Sequence, residues 1–240
     1  MPAKARSYLT LAAGIVTGIA VLGACFGALY WLLLPQHFPL TRVDLKGTVL
    51  RTSTAELEAA LPRASGNFFA ADLGEIRARV ERLPWVRHVA VRRVWPGRLE
   101  ISIEEHVALA RWGAGDEMSA LVNTHGERFT GKTQDPLPLF IGPAGTQAEV
   151  ARRYASFSAI VAPLGTKVER VVLSPRHAWQ LRLANGLHLA LGRDPEAAEL
   201  RLKSFVAAYP ATLSAGGRRY EYVDLRYPNG FAVRVPDLKS

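Results

Sequence analysis

VRHVAVRRVWPGRLEISIEEH, residues 86–106, reads as two strands joined by a turn. Val89 and Val91 share a face of the first arm, which runs over 86–95. Pro96-Gly97 turns the chain, and Leu99, Ile101 and Ile103 alternate with polar or charged residues on the return. Just upstream, Leu73, Ile76, Val80 and Leu83 have helical spacing, with Asp72-Leu73-Gly74-Glu75 as a cap and Pro84 as a stop. Ser53-Thr54-Ala55-Glu56 has capping-box spacing and opens a shorter helix to about residue 61; Gly66-Asn67 breaks the chain between the two. TRVDLKG, 41–47, is a short strand with Val43 and Leu45 on one face. The order is β-α-α-β-β within about 65 residues, a compact module with two helices on a small sheet.

The stretch before this module, 9–34, carries no charge over 26 residues. As a helix it is about 39 Å long, against a hydrocarbon core of about 30 Å. Lys4 and Arg6 precede it in a tail over 1–8, so the positive-inside rule places the N-terminus in the cytoplasm and the rest outside. Tyr30 and Trp31 fall where an interfacial aromatic belt lies, and Pro35 ends the helix. Leu22-Gly23-Ala24-Cys25 has the form of a lipoprotein processing box, but the chain stays apolar for nine residues beyond Cys25, so we read a retained anchor. The Gly14/Gly18 and Gly23/Gly27 pairs lie on opposite helix faces; we read them as the ordinary glycine content of a membrane helix. The single cysteine rules out an intramolecular disulfide.

From residue 107 onward the pattern is mostly strands: 108–112, 121–123, 128–129, 168–173, and a hairpin of 179–183 with 187–191 around Asn185-Gly186. Pro136-Leu137-Pro138 marks a loop. Residues 149–161 have helical spacing through Val150, Tyr154, Phe157 and Val161. Asp194-Pro195 starts a second helix, with Leu200, Leu202, Phe205 and Val206 as its apolar side and Tyr209-Pro210 as its end. YVDLRYPNGFAVRV, 222–235, then reads as a tight hairpin about Asn229-Gly230. Its second arm, 231–235, is the last strand before the end of the sequence, and it carries little of the charge or proline that usually blunts an exposed edge. The expected fold is α+β: one N-terminal transmembrane helix (9–34), the β-α-α-β-β module (40–106), and a mixed, mostly antiparallel β domain with flanking helices (107–236).

Several stretches in this order resemble one family. They are Leu83-Pro84-Trp85-Val86, Val91-Arg92-Arg93-Val94-Trp95-Pro96, Ile103-Glu104-Glu105-His106, Ala110-Arg111-Trp112, Leu121-Val122-Asn123 with Gly126, Pro138-Leu139-Phe140-Ile141-Gly142-Pro143, Leu191-Gly192-Arg193, and Tyr222-Val223-Asp224-Leu225-Arg226-Tyr227. Together they resemble the FtsQ/DivIB family of bitopic bacterial cell-division proteins, in which the first exported module is a POTRA domain. The resemblance implies a non-enzymatic scaffold of the divisome, in the inner membrane with its bulk in the periplasm, without cofactor or small-molecule substrate. It implies docking of FtsB, within the FtsB–FtsL pair, by strand addition to the last strand. Mapped here, those positions are Tyr227, Asn229, Gly230, Phe231, Ala232 and Val233. It also implies contacts of the POTRA domain with other division proteins near its second strand, at Val89, Val91 and Arg93. The tail over 1–8 is too short for a docking segment, and we place no function in it.

Other chemistry finds little purchase. Glu104-Glu105-His106 is read as a charged strand end and not a metal site, because no second histidine lies at ligand spacing. No nucleophile elbow, P-loop, HExxH or dinucleotide fingerprint is present. The net charge is +9, and setting aside Lys4 and Arg6 leaves 28 basic against 21 acidic residues. That surface favours anionic lipid or acidic partners, while export argues against nucleic acid. Arg92, Arg93 and Arg98 are read as a solvated strand face, with Trp95 packing onto its domain. Two further classes stay open: an envelope assembly or transport factor that uses the POTRA fold, and a peptidoglycan-modifying enzyme.

Overall fold

The structure, a computed structural model, describes residues 2–34, 36–61, 66–113, 120–211, 220–227 and 230–234, with the backbone alone over 2–12. The chain divides into two compact units, Met1–Glu105 and His106–Ser240. Helix α1 (Pro2–Leu33) opens the first. Its Ala13–Leu33 stretch has mean hydropathy 2.0 and holds no buried residue, and it is long and apolar enough to cross a membrane. The tail expected over 1–8 is helical from Pro2 and continuous with the apolar stretch.

Strand β1 (Arg42–Lys46), helices α2 (Thr54–Ala60) and α3 (Leu73–Val80), and strands β2 (Val86–Val94) and β3 (Arg98–Glu105) follow. The local chemistry explains the starts. Ser53 and Glu56 form a full capping box on α2, and the Asp72 carboxylate accepts the Gly74 and Glu75 amides of α3. Among the described residues the sheet order is β1-β3-β2, with β3 parallel to β1 and antiparallel to β2. Central β3 buries Leu99, Ile101 and Ile103, each contributing about 1.5–3 kcal/mol of apolar burial. Leu57, Ile76, Val80 and Val89 close the core from the helices and β2.

The second unit contains β4 (Ala108–Trp112), β5 (Ala120–Asn123), β6 (Arg128–Thr130), β7 (Leu139–Ile141), α4 (Gln147–Val161), β8 (Val168–Leu173), β9 (Trp179–Leu183), β10 (His188–Gly192), α5 (Pro195–Tyr209), β11 (Tyr222–Asp224) and β12 (Ala232–Arg234). Among the described residues they form one nine-stranded sheet, β12-β11-β10-β9-β8-β7-β4-β5-β6. Most pairings are antiparallel, while β4–β7, β7–β8 and β10–β11 are parallel. Helix α4 packs on β8, α5 packs on β10, and the two helices pack on each other, with Arg153 donating to Glu199 at 2.8 Å. Phe157, Phe205, Trp179 and Phe140 are fully buried in the resulting core. Strand β7 is absent from the sequence reading, where 136–138 is only a loop. It is three residues of unbroken apolar sequence, too short to show a period.

Candidate functional site

The sheet ends at β12. The parallel register Leu189↔Val223 sets β11 on β10, and the antiparallel register Val223↔Val233 sets β12 on β11. Among the described residues no strand pairs with the far side of β12, which stands as the edge of the sheet. Ala232, Val233 and Arg234 are all exposed. Beneath this edge the chain is buried and hydrogen-bonded. Val223 and Leu225 are buried, and the Leu225 amide donates to the Ala190 carbonyl at 2.8 Å. The buried Asp224 carboxylate accepts from Arg226 Nε at 2.8 and 3.0 Å and from the Arg226 amide at 3.0 Å. That guanidinium holds the Asp224 carboxyl below its ordinary range, against the opposing effect of burial, and the Arg226 pKa is raised in turn.

The connection before β12 departs from the expected hairpin. The register Asp224↔Ala232 leaves seven residues, 225–231, between the strands, where a tight hairpin leaves two. Gly230 does not adopt the positive φ that a type I′ turn requires there. The physical reason is that Leu225 stays paired to β10 while Phe231 turns inward. Its half-buried ring meets the buried Phe205 ring of α5 edge to face, with centroids 5.5 Å apart. Asn229 and Val235 lie outside the described residues. Of the expected docking positions, Ala232 and Val233 stand on the edge strand, and Tyr227, Gly230 and Phe231 line a groove against α5. The groove has a volume of about 420 Å³, and Leu200, Arg201, Ser204, Phe205 and Leu225 also line it. The sequence reading missed the α5 wall. It put Leu200 on the apolar core side, whereas Leu200 is 64% exposed and faces the groove. Arg201 reaches the Leu191 carbonyl at 3.0 Å and ties α5 to β10.

In the first unit the three expected contact residues do different things. The Val89 side chain is fully buried in the core, because it lies on the helix-covered face of β2. Val91 is half-buried against the same core. Arg93 is exposed, but its guanidinium donates to the carbonyls of Phe68, Phe69 and Ala71 at 3.0, 3.1 and 2.7 Å. What the unit offers outward is the edge of β2, which lies at the end of its sheet. Trp95 does not pack down as expected. It is 61% exposed and meets Phe38, Phe68 and Phe69 by its ring face and edges.

Glu104-Glu105-His106 is a structural junction. Glu104 pairs with Arg87 at 2.6 Å. Glu105 accepts the backbone amides of Leu50, Arg51 and Thr52 at 2.7, 3.0 and 2.7 Å. Burial alone would raise the Glu105 carboxyl, but the donors of Thr52, Leu50 and Arg51 outweigh it and hold it below its ordinary range. His106 stacks on Phe129 at 4.1 Å and shares a hydrogen bond of 2.9 Å with Asn123. Among the described residues no three His, Cys, Asp or Glu side chains are grouped to hold a metal ion.

Residues 38–106 match the family model described as POTRA domain, FtsQ-type, and residues 110–226 match that described as Cell division protein FtsQ/DivIB, C-terminal. The chain is 39% identical to the cell division protein FtsQ of Burkholderia pseudomallei, over 96% of this chain and 93% of the relative. It is 38% identical to FtsQ of Nitrosospira multiformis, over 90% and 92% of the two chains. Against FtsQ of Neisseria gonorrhoeae the identity is 35%, over 98% and 95%.

Proposed function

The chain belongs to the FtsQ/DivIB family of cell-division proteins, and from that premise we propose how it serves the division machinery. It is a membrane-anchored divisome component. In our reading it is a non-enzymatic scaffold of the inner membrane, with residues 1–8 cytoplasmic and the POTRA (40–106) and β (107–236) domains in the periplasm. It docks the exported part of FtsB, within the FtsB–FtsL pair, as an added strand on β12.

The observation that carries this reading is the outer side of β12, which pairs with no other strand among the described residues and lies beside a groove against α5. An added strand bonds to the backbone groups of that side, each bond contributing about 0.5–1.5 kcal/mol net, and a side chain of that strand or of the segment beyond it fills the groove. Backbone pairing supplies affinity; Tyr227, Phe231 and the α5 wall supply selectivity. Arg234 on the edge and Arg201 in the groove favour an acidic docking segment. In the POTRA domain the corresponding surface is the edge of β2 with Arg93, while Val89 and Val91 support it from within.

The test is amide hydrogen exchange on the full chain in nanodiscs, with and without the exported segment of FtsB. Slowed exchange at 232–234 is the expected result. Binding that leaves those amides unchanged would remove β12 as the dock.

A further inference from the structure

The Asn67 side chain fastens the end of α1 to the β-α-α-β-β module. Asn67 is 5% exposed. Its Nδ2 donates to the Leu32 and Leu34 carbonyls at 2.8 and 2.9 Å, taking up two of the acceptors that a helix C-terminus leaves without partners. Its Oδ1 accepts the Phe69 and Ala70 amides at 2.7 and 3.1 Å. Both ends of the amide are used, so the last turn of the apolar helix and the turn at 68–70 are held together. The Arg93 guanidinium grips the same turn from β2.

This clamp collects aromatic rings. Trp31, in the last turn of α1, lies 6.3 Å from Phe38; Phe38 lies 5.2 Å from Phe69 and 5.8 Å from Trp95. Three of these rings are open to solvent: Trp31 at 52%, Phe69 at 38% and Trp95 at 61%. Exposed apolar side chains scattered singly need no account, but these are contiguous and begin on the spanning helix. The occupant follows from that continuity. Between hydrocarbon and water the headgroup zone is roughly 5–8 Å thick on each side. Trp95 is two ring-to-ring steps from a residue at the edge of the apolar stretch, within or just beyond that zone. Indole rings settle there because the apolar body meets acyl chains while the N–H stays wet.

We propose that Trp31, Phe38, Phe69 and Trp95 form a lipid-contact surface, by which the first unit rests in the headgroup region of the bilayer. The proposal rests on the reading that α1 spans the membrane. Asn67 is its positioning residue: it fixes the turn that carries Phe69 relative to the helix end, so the unit meets the bilayer at a set angle.

Tryptophan fluorescence tests this on the full chain, reconstituted in phosphatidylcholine–phosphatidylglycerol vesicles brominated high on the acyl chain. Trp85, Trp112 and Trp179 are buried and give a constant background. The Trp31→Phe variant then reports Trp95, and the Trp95→Phe variant reports Trp31. Both rings are more than half exposed, so the fold should persist, as far-ultraviolet circular dichroism will check. The expected result is that Trp95, like Trp31, loses emission to the brominated lipid and is shielded from aqueous iodide; Asn67→Ala weakens both effects at Trp95 and spares Trp31. Trp31 quenched by lipid with Trp95 open to iodide would overturn the proposal, leaving the patch to a protein partner. Trp31 indifferent to the lipid would overturn the spanning helix and the proposal with it.

Discussion

Phe205 and Phe231 meet edge to face, with centroids 5.5 Å apart and planes at 87°. One ring is buried in α5 and the other immediately precedes the terminal strand, so this contact holds the proposed docking edge to the body of the domain. Phe231→Ala should therefore cost about 1–3 kcal/mol, below the range for a fully buried phenylalanine because the ring is half-covered. The loss should be local: amide exchange at 232–234 rises while β9 and β10 keep their protection. Exchange that stays slow at 232–234 would show that β12 is held by its pairing with β11 alone.

Because Phe231 packs inward, a proline there would disturb α5 as well as the edge. Val233 separates the two effects, since it lies within β12 and is exposed. Val233→Pro should abolish binding of the FtsB segment while the domain stays folded, because proline removes a donor and spoils strand geometry. Val233→Ala, which keeps the backbone, should weaken binding by no more than about tenfold. Calorimetric titration of both variants in nanodiscs decides the matter; equal losses would mean that the side chain, and not the strand, is recognised.

The first unit was legible because its signals are local and agree with one another. The capping box at Ser53, the Asp72 cap, the period of Leu73 to Val80 and the alternation of Leu99, Ile101 and Ile103 each name an element, and their order names the module. The terminal region was legible only in part. Alternation in 222–235 located the two strands, but Asn-Gly pointed to a two-residue connection, whereas the register leaves seven residues, with Leu225 bonded to Ala190 and Phe231 packed on Phe205. Tertiary packing outweighed a local preference there. Strand β7 and the α5 wall were not legible for different reasons. Leu139–Ile141 is recognisable only by its neighbours in the sheet, and helical spacing alone does not tell Leu200 on the rim from Leu202 in the core. Nothing local marks Asn67 as a clamp, since its partners Leu32 and Leu34 lie more than 30 residues away.

Glu105 makes a pH dependence. Its folded carboxyl is held below the ordinary value, so it binds a proton less readily folded than unfolded. Its contribution is complete above about pH 4.3, the unfolded value, and is lost as pH falls through the lower folded value. Glu105→Gln leaves an N–H donor facing the amides of residues 50–52 and should cost about 1–3 kcal/mol near neutral pH. The deficit relative to wild type should shrink on acidification below about pH 4. Denaturation followed at Trp85, whose ring lies 5.3 Å below the Arg51 guanidinium, reads this unit. A deficit constant from neutral to acid pH would mean that the carboxylate charge plays no part.

Gly126 and Gly186 both have positive φ, +80° and +92°, but only one is crowded. A Cβ on Gly186 meets nothing within 4 Å, whereas one on Gly126 would lie 2.6 Å from Ala148 Cα and 2.9 Å from Ala148 Cβ. The turn at 123–127 is fixed in place, because Asn123 Oδ1 accepts the amides of His125 and Glu127 at 2.9 and 2.8 Å. It cannot retreat without breaking those bonds or shifting the first turn of α4. Gly186→Ala should therefore cost about 1–2 kcal/mol, the backbone strain alone. Gly126→Ala should cost about 2–4 kcal/mol, strain plus overpacking. Adding Ala148→Gly should recover only part of the difference, because Ala148 Cα remains in the way. Chemical denaturation followed by the buried Trp112 and Trp179 measures all three. Equal costs at 126 and 186 would show that α4 yields freely and that the close approach places no demand on the residue.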